Sequence, residues 1–480
     1  MSVVEWTALL PYLVLTAGIL VVVLLVSFWR NHELIAMSSN LVLAITFASV
    51  IFSYSQTSVN IDQFLVLDSY ASFFNGLFLA AALVTSLLAL PYLEGRAGQQ
   101  EEFYILLLLA TLGAMTVAAA TNFAALLLGM EILSVSLYAL IAYPEEGHPP
   151  LEAAIKYLIL SGVSSTTMLF GMALVYHATG GLSLADIASG QNEELSTLFT
   201  VGQLFLVCGL AFKLSLVPFH MWTPDVYHGA PAPVTGYIAT VSKAAAFAFL
   251  LRYAIEVQML GNQALYLAIA TLGCVSMILG NLLALRQQNI KRVLAYSSIA
   301  HLGYLLIALL TLAMVRNYET AVETSLVYLA GYTFITLAAF AVISQVPSRD
   351  SGGEAMNLDD YQGLFWRHPV LATTLTVALL SLAGIPLTLG FVAKFYVFLA
   401  GVESGLWWLV WSLIVGSAIG VYYYLRIVFV MTRKDETTQK NAPAASGLMV
   451  TIVLTIVILG MGIYPTPLIE LAREVVGALG

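Results

Sequence analysis

Four ionisable residues lie deep within long apolar stretches of this 480-residue sequence. Glu131 lies about halfway along one stretch, and Lys213, Lys243 and Lys394 are too far from the ends of theirs to reach water easily. A charge at the centre of a bilayer costs about 3 kcal/mol on insertion scales. Burial makes an ammonium release its proton more readily, whereas a nearby carboxylate makes it hold that proton. A glutamate and a lysine whose separation changes can therefore act as a proton switch.

Three further residues extend this candidate path. Lys156 lies near the start of a helix, where its side chain could instead reach the membrane interface. His220 and His301 lie in apolar stretches, where a histidine either passes a proton near neutral pH or serves as a hydrogen-bonded packing residue. A static buried ion pair is the alternative for the whole set, but one glutamate cannot neutralise three or four lysines. The candidate proton path is Glu131, Lys213, Lys243, Lys394, His220, His301 and Lys156.

The composition indicates that these residues belong to a membrane protein. The chain is 60% hydrophobic and only 9% charged, against roughly 25% charged residues in a soluble domain. Windows of about 20 apolar residues predict an all-α, polytopic protein with about 14 transmembrane helices. They divide into three helices within 1–102, five within 103–256, five within 262–432 and one at 446–471.

Two of the predicted helices are interrupted. Pro218 follows Lys213 by five positions, and Gly384 and Pro386 precede Lys394. Proline removes a backbone donor and clashes with the preceding turn, which a membrane helix tolerates where its backbone lines a cavity. Broken helices in matching positions of two halves are typical of a transport site, although a simple kink is the alternative for each. Because the breaks fall in the seventh and twelfth helices, we predict two inverted five-helix repeats.

The distribution of basic residues predicts the orientation. Cytoplasmic connections carry an excess of lysine and arginine. Ten of the 18 basic residues lie in or beside odd-numbered connections, namely Arg30, Arg96, Arg286, Lys291, Arg292, Arg349, Arg367, Arg433, Lys434 and Lys440. Only Arg252, Arg316 and Arg473 lie near even-numbered connections or the tail. Both termini are therefore predicted on the non-cytoplasmic side of a bacterial inner membrane.

The sequence predicts no cofactor or metal site on this chain. It has two cysteines, Cys208 and Cys274, which are too few for a four-thiolate iron–sulfur or zinc site. It also has no Walker A motif and no glycine-rich dinucleotide fingerprint.

Three long motifs resemble the antiporter-like subunits of respiratory complex I. They are GLAFKLSLVPFHMWTPDVYHGAPAPV at 209–234, NIKRVLAYSSIAHLGY at 289–304, and AGIP followed by GFVAKFY within 383–396. The resemblance covers essentially the whole chain. It implies a 14-helix subunit in the membrane arm of an NADH:quinone oxidoreductase. FMN, iron–sulfur clusters and the quinone reaction would lie in partner subunits, and the other partners would be lipid rather than nucleic acid.

The resemblance also implies roles for individual residues. Glu131 matches the family's glutamate on the fifth helix, and Lys213 its partner lysine on the seventh. Lys243 matches the central lysine, and Lys394 the terminal lysine that releases protons, where one branch of the family carries glutamate. His301 matches a polar position on the tenth helix. Two alternatives remain open, a stand-alone cation/proton antiporter and a structural spacer of the membrane arm.

Overall fold

The computed structural model describes residues 3–54, 58–94, 96, 98–143, 148–190, 193–314, 318–348, 353–434 and 444–478. The amino-terminal helices are α1 Val3–Phe28, α2 His32–Ser53, α3 Ser69–Leu93, α4 Glu102–Ala119 and α5 Phe123–Ala142. The central helices are α6 His148–Thr179, α7 Leu184–Ser189, α8 Ser196–Lys213, α9 Trp222–Gly229, α10 Ala232–Tyr237 and α11 Lys243–Glu256. The remaining helices are α12 Gln263–Leu285, α13 Ile290–Met314, α14 Tyr318–Ile343, α15 Leu364–Arg367, α16 Pro369–Ala383, α17 Leu389–Glu403, α18 Trp407–Thr432, α19 Ala445–Ile463 and α20 Thr466–Gly477.

The smaller elements connect these helices. A π-helical segment, Ile238–Ser242, joins α10 to α11 into one helical unit. Three 3₁₀ turns cover Glu193–Leu195, Met259–Gly261 and Leu358–Tyr361. An antiparallel hairpin of β1 Val59–Ile61 and β2 Leu65–Leu67 precedes α3 and is the one paired sheet among the described residues.

The prediction of a polytopic all-α membrane protein is confirmed. Thirteen helices in the described ranges are long and apolar enough to cross a membrane. The pair α16 and α17, each of 15 residues, supplies one further broken crossing. The inverted-repeat division stays a prediction, as does the orientation, for which Arg316, Arg349 and Lys440 lie outside the described residues.

The last predicted span, 446–471, needs a correction. Helix α19 ends at Ile463, and a second helix, α20, begins at Thr466. Pro465 separates them, because a residue before proline is disfavoured in helical geometry. Helix α20 buries only one side, formed by Leu468, Ala472, Val475 and Val476. A hydropathy window merges such an amphipathic helix with the apolar span before it.

Both predicted helix breaks are present, at 214–221 and at 384–388. At the first break, the indole Nε1 of Trp222 donates to the carbonyl of Phe212 at 2.9 Å, and the Ser276 hydroxyl accepts from the Val217 amide at 2.9 Å. At the second, the Gly390 amide donates to Ser381 Oγ at 2.9 Å. These contacts satisfy backbone groups that the breaks release, which is the condition for irregular backbone at membrane depth.

Close helix packing positions the first break. Helices α6 and α8 approach at Gly171 and Gly202, where a Cβ on Gly171 would lie 2.6 Å from the Gly202 carbonyl oxygen. Small residues at such contacts let membrane helices approach closely. The carboxyl end of α8, with Lys213, is thereby held against α6.

Candidate functional site

Lys213, the last residue of α8, is buried and held by two hydroxyls. Its Nζ donates to Ser134 Oγ of α5 at 2.6 Å and to Ser161 Oγ of α6 at 2.7 Å. Tyr138 donates to the same Ser161 oxygen at 2.9 Å. The Tyr157 ring centroid lies 5.8 Å from the ammonium. Neutral acceptors therefore stabilise a charge that no carboxylate of the described residues contacts directly.

Glu131 lies on α5 beside this lysine but does not pair with it. Its Oε1 accepts a hydrogen bond from Ser165 Oγ at 2.7 Å. Ser165 follows Ser161 by one turn of α6, so the two serines share a face of that helix. No ion pair within 4 Å joins Glu131 to Lys213 among the described residues. Among the described residues, serine hydroxyls contact each group separately, which corresponds to the open state of a pair whose separation changes.

Lys243, the first residue of α11, has no measurable exposure. Its Nζ donates to Ser298 Oγ at 2.6 Å, and the Tyr332 hydroxyl donates to the same oxygen at 2.7 Å. The Tyr227 hydroxyl lies 3.3 Å from Ser298 Oγ, and its ring centroid lies 5.4 Å from Nζ. Two donors fill the acceptor sites of the serine hydroxyl, so Ser298 is the hub of this site.

His301 follows Ser298 by three residues on α13, and is buried among tyrosines. Its Nδ1 lies 2.8 Å from the Tyr328 hydroxyl, and its Nε2 lies 3.4 Å from the Tyr424 hydroxyl. Tyr424 in turn shares a short hydrogen bond with Ser297. Both ring nitrogens thus face hydroxyl groups, which is the arrangement that a histidine needs to accept a proton on one side and release it on the other.

Lys394 lies on α17 and points back at the second helix break. Its Nζ donates to the carbonyl of Ala383, the last residue of α16, at 3.2 Å, and to Ser417 Oγ of α18 at 3.0 Å. Gly384 has φ of +86°, a left-handed conformation that glycine adopts without steric cost. Tyr304, three residues after His301, places its ring centroid 5.3 Å from Nζ. The helix break therefore leaves the Ala383 carbonyl available to accept a hydrogen bond from the Lys394 ammonium.

One face of α13 connects the last two lysines. Ser298, His301 and Tyr304 recur every three residues, and such positions are neighbours on a helix surface. Ser298 contacts Lys243 and Tyr304 contacts Lys394. The contacts between the first two lysines are aromatic instead. The Tyr157 ring, beside Lys213, packs on Trp222 of α9, the helix that also carries Tyr227, whose ring faces Lys243.

His220 lies near the first break and is buried. Its Nδ1 has no hydrogen-bond partner among the described residues, and its ring centroid lies 6.5 Å from that of Tyr296. Its position is compatible with a water-mediated role, and its membership of the path stays a prediction.

Lys156 lies apart from the other lysines. Its half-exposed ammonium pairs with Glu152 at 2.7 Å and with Asp225 at 2.9 Å, and Arg292 also pairs with Asp225 at 2.8 Å. Burial alone would raise the pKa of the Asp225 carboxyl, but hydrogen bonds from Lys156 and Arg292 outweigh burial and hold that pKa below its ordinary value. This cluster ties α6, α9 and α13 together at one end of the bundle.

Sequence reasoning did not find the hydroxyl groups or two buried ion pairs. The hydroxyls that bind the predicted residues are those of Ser134, Ser161, Ser165, Ser298, Ser417, Tyr328 and Tyr424, and the Tyr332 hydroxyl binds Ser298 in turn. The ion pairs join Arg252 to Asp68 and Lys291 to Glu354. A partial signal was present for the serines, because the SerSer pair at 297–298 lies one turn before His301 within a motif that the sequence analysis had singled out.

The chain is similar to proteins of known type over nearly all its length. Residues 120–420 match a transmembrane family described as NADH:quinone oxidoreductase/Mrp antiporter. A chain of respiratory complex I from Thermus thermophilus, solved with bound aureothin, is 32% identical, with 96% of this chain and 99% of that chain covered and a TM-score of 0.83.

Two more distant structures share the fold. A chain of the membrane-bound sulfane sulfur reductase, an archaeal respiratory membrane complex, is 24% identical, with a TM-score of 0.86 and 98% and 97% of the two chains covered. A chain of the Mrp complex from Dietzia sp. DQ12-45-1b is 18% identical, with the same TM-score and 99% and 97% covered. Taken with the buried lysines at two broken helices, the family match and the 32% identity establish that this chain belongs to the NADH:quinone oxidoreductase/Mrp antiporter transmembrane family, as an antiporter-like membrane subunit.

Proposed function

We propose that this chain is a proton-translocating membrane-arm subunit of an NADH:quinone oxidoreductase. One observation carries the proposal: Lys213, Lys243 and Lys394 are buried, and each donates to neutral oxygens. No carboxylate lies within 4 Å of these three ammoniums among the described residues. A buried charge without a counter-ion is expensive. Neutral acceptors leave the ammonium free to give up its proton, whereas a fixed carboxylate would hold it there.

The geometry suggests an order of transfer. A proton taken up from the cytoplasmic side resides on Lys213 while the Glu131 carboxylate is close. Withdrawal of that charge, as in the serine-separated arrangement seen here, favours transfer to Lys243. The face of α13 that carries Ser298 and His301 then leads to Lys394, from which the proton leaves on the opposite side. Water molecules, with His220, would bridge the remaining gaps.

The redox chemistry belongs to other subunits under this proposal. NADH oxidation on FMN, electron transfer through iron–sulfur clusters and quinone reduction would occur in partner chains of a bacterial inner-membrane complex. The TrpThrProAspValTyr wording at 222–227 and the lysine at 394 favour the subunit N type, the counterpart of mitochondrial subunit 2. The 32% identity to a chain of Thermus complex I supports the coarser proposal of a complex I subunit.

A cation/proton antiporter is the second candidate, because the matching family description includes Mrp antiporters. A sodium site favours several oxygen ligands, including carboxylates. Glu131 is the only acidic residue midway along a predicted span, which favours the first proposal.

Two measurements test the proposed function. The complex is purified from native membranes, and flavin and iron–sulfur absorbance are expected to co-elute with this chain. In sealed vesicles, Lys213→Ala and Lys394→Ala are each expected to lower the number of protons pumped per electron. Lys434→Ala, which removes an exposed lysine, is the matched control and should leave that ratio unchanged.

Unchanged pumping in both buried-lysine variants would overturn the proposal. Sodium-dependent proton exchange by this chain without any redox partner would favour the antiporter instead.

A further inference from the structure

Asn281 of α12 is buried beside the terminal lysine site, and all its hydrogen-bonding groups are used. Its Nδ2 donates to the Met277 carbonyl at 2.7 Å and to the Tyr304 hydroxyl at 2.8 Å. Its Oδ1 accepts from the Tyr423 hydroxyl at 3.0 Å. An amide has two donor hydrogens and one acceptor oxygen, so this side chain is locked in one orientation.

We call the hydrogen bond between Asn281 and the Tyr304 hydroxyl the clamp, and helix α18 packs closely against it. Gly416 and Gly420, one turn apart, face Asn281. A Cβ on Gly416 would lie 2.9 Å from Asn281 Nδ2 and 3.0 Å from the Tyr304 hydroxyl, and one on Gly420 would lie 3.3 Å from Asn281 Oδ1. A Cβ at Gly416 would therefore displace the amide or the phenol, so glycine at this position lets both groups keep their places.

The clamped tyrosine contacts two members of the proton path. The Tyr304 ring centroid lies 5.5 Å from that of His301, at an interplanar angle of 75°. The same ring lies 5.3 Å from Lys394 Nζ. An aromatic ring carries no exchangeable proton, and the Tyr304 hydroxyl is fixed in place because its oxygen accepts a hydrogen bond from Asn281 Nδ2. A proton moving from His301 to Lys394 must therefore pass around this ring, which requires the ring to move or water to enter beside it.

We propose that Asn281 is a positioning residue that holds Tyr304 as a closed aromatic gate between His301 and Lys394. The proposal rests on the proposed function, since it assigns a barrier within that path. Breaking the clamp leaves buried hydroxyls without a partner, at a free-energy cost that the ring can relieve by moving. A loosened gate admits water, and protons then leak back across the membrane.

The test uses the assembled complex in sealed vesicles, with Asn281→Leu, Tyr304→Phe and the double variant. Passive proton leak is measured after a pH jump without NADH, and turnover is measured with an uncoupler. Asn281→Leu should raise the leak several-fold and lower the protons pumped per electron, while uncoupled turnover stays near that of the unmodified complex. Tyr304→Phe should raise the leak similarly, and the double variant no further, because both changes break the same contact.

A purely packing role for Asn281 predicts a different result, namely additive effects of the two substitutions or an unchanged leak, and either outcome overturns the gate. If Asn281→Leu fails to assemble, Gly416→Ala crowds the clamp without altering its groups and should also raise the leak. Gly460→Ala is the control, because a Cβ there would meet nothing within 4 Å. The leak assay needs no redox reaction and tests the gate alone. The proposed function is tested separately, and unchanged pumping in Lys394→Ala would contradict it.

Discussion

Helix α11 carries two buried cations, nine residues apart, in opposite surroundings. Arg252 is bidentate to Asp68, with Nη1 to Oδ2 at 3.0 Å and Nη2 to Oδ1 at 3.1 Å. Lys243 has only the Ser298 hydroxyl as a hydrogen-bond acceptor in the described structure. An arginine in a bidentate pair does not lose its proton, whereas a buried lysine can. The same helix thus carries a permanent charge that fixes structure and an exchangeable charge suited to transport.

The largest expected effect comes from breaking the permanent pair. Arg252→Met leaves the Asp68 carboxylate buried without its counter-ion, with only the Ala71 amide still donating to it at 2.7 Å, and such a loss costs about 3–5 kcal/mol of unfolding free energy. Adding Asp68→Asn should restore much of the lost stability, because the amide carries no charge. The thermal midpoint of the purified complex measures both. A double variant no more stable than Arg252→Met would show that the pair is not the source of the loss.

The matching change at the other cation should behave differently. Lys243→Met replaces an unpaired ammonium with an apolar chain of similar length, which removes the free-energy cost of burying a charge without a counter-ion. We expect an equal or higher thermal midpoint, together with fewer protons pumped per electron. A loss of stability as large as that of Arg252→Met would mean that Lys243 is structural, and the contrast would fail.

A smaller effect should follow from removing the acceptor of Lys243. Ser298→Ala deletes the oxygen that also binds Tyr332, and an unsatisfied buried polar group costs about 1–3 kcal/mol. Slower proton transfer and a modest fall in thermal midpoint are expected. Ser325→Ala is the control, because that similarly buried hydroxyl bonds, within the described part of the chain, only to the Ala321 carbonyl of its own helix. Equal effects of the two substitutions on pumping would remove Ser298 from the path.

The smallest effect is expected at the exposed cluster around Asp225. The pKa of the Asp225 carboxyl is lower in the folded than in the unfolded protein. The stability that this carboxylate contributes is therefore present above its unfolded-state pKa and is lost as the pH falls through its folded-state pKa. The carboxylate is about one-third exposed, and solvent screening limits the contribution to about 1 kcal/mol or less. Asp225→Asn should lower the thermal midpoint slightly at pH 7, and the difference should shrink in acid. A difference that grows on acidification would contradict this sign.

Much of the fold followed from the sequence for direct physical reasons. The apolar spans are long enough to cross a bilayer, and Pro218, Gly384 and Pro386 lie at the two helix breaks, as the weak helix propensity of proline and glycine predicts. Lys213, Lys243 and Lys394 could be identified from the sequence because a charge within an apolar span is costly whatever the helix packs against. Each of these signals is local to a few residues.

The missing parts depend on contacts between distant segments. Asp68 and Arg252 are 184 positions apart, and nothing near either residue identifies the other. Serines such as Ser161 are ordinary in membrane helices, and only the packing of α6 against α8 brings that hydroxyl to Lys213. Glu131 and Lys213 show the same limit, since similar depth in the membrane does not determine which polar groups each of the two charges contacts.

The π-helical segment Ile238–Ser242, immediately before Lys243, has a mechanical consequence. Each residue of an α-helix advances the chain by about 100° around its axis. The wider π-helical turn advances by a smaller angle per residue. Converting Ile238–Ser242 to α-helical geometry, with α10 held in place, would therefore rotate Lys243 and all of α11 about the helix axis. Lys243 would swing away from Ser298 while the Arg252–Asp68 anchor resisted the same rotation. A change in this π-helical segment would therefore twist α11 between Lys243 at its start and the Arg252–Asp68 pair near its end.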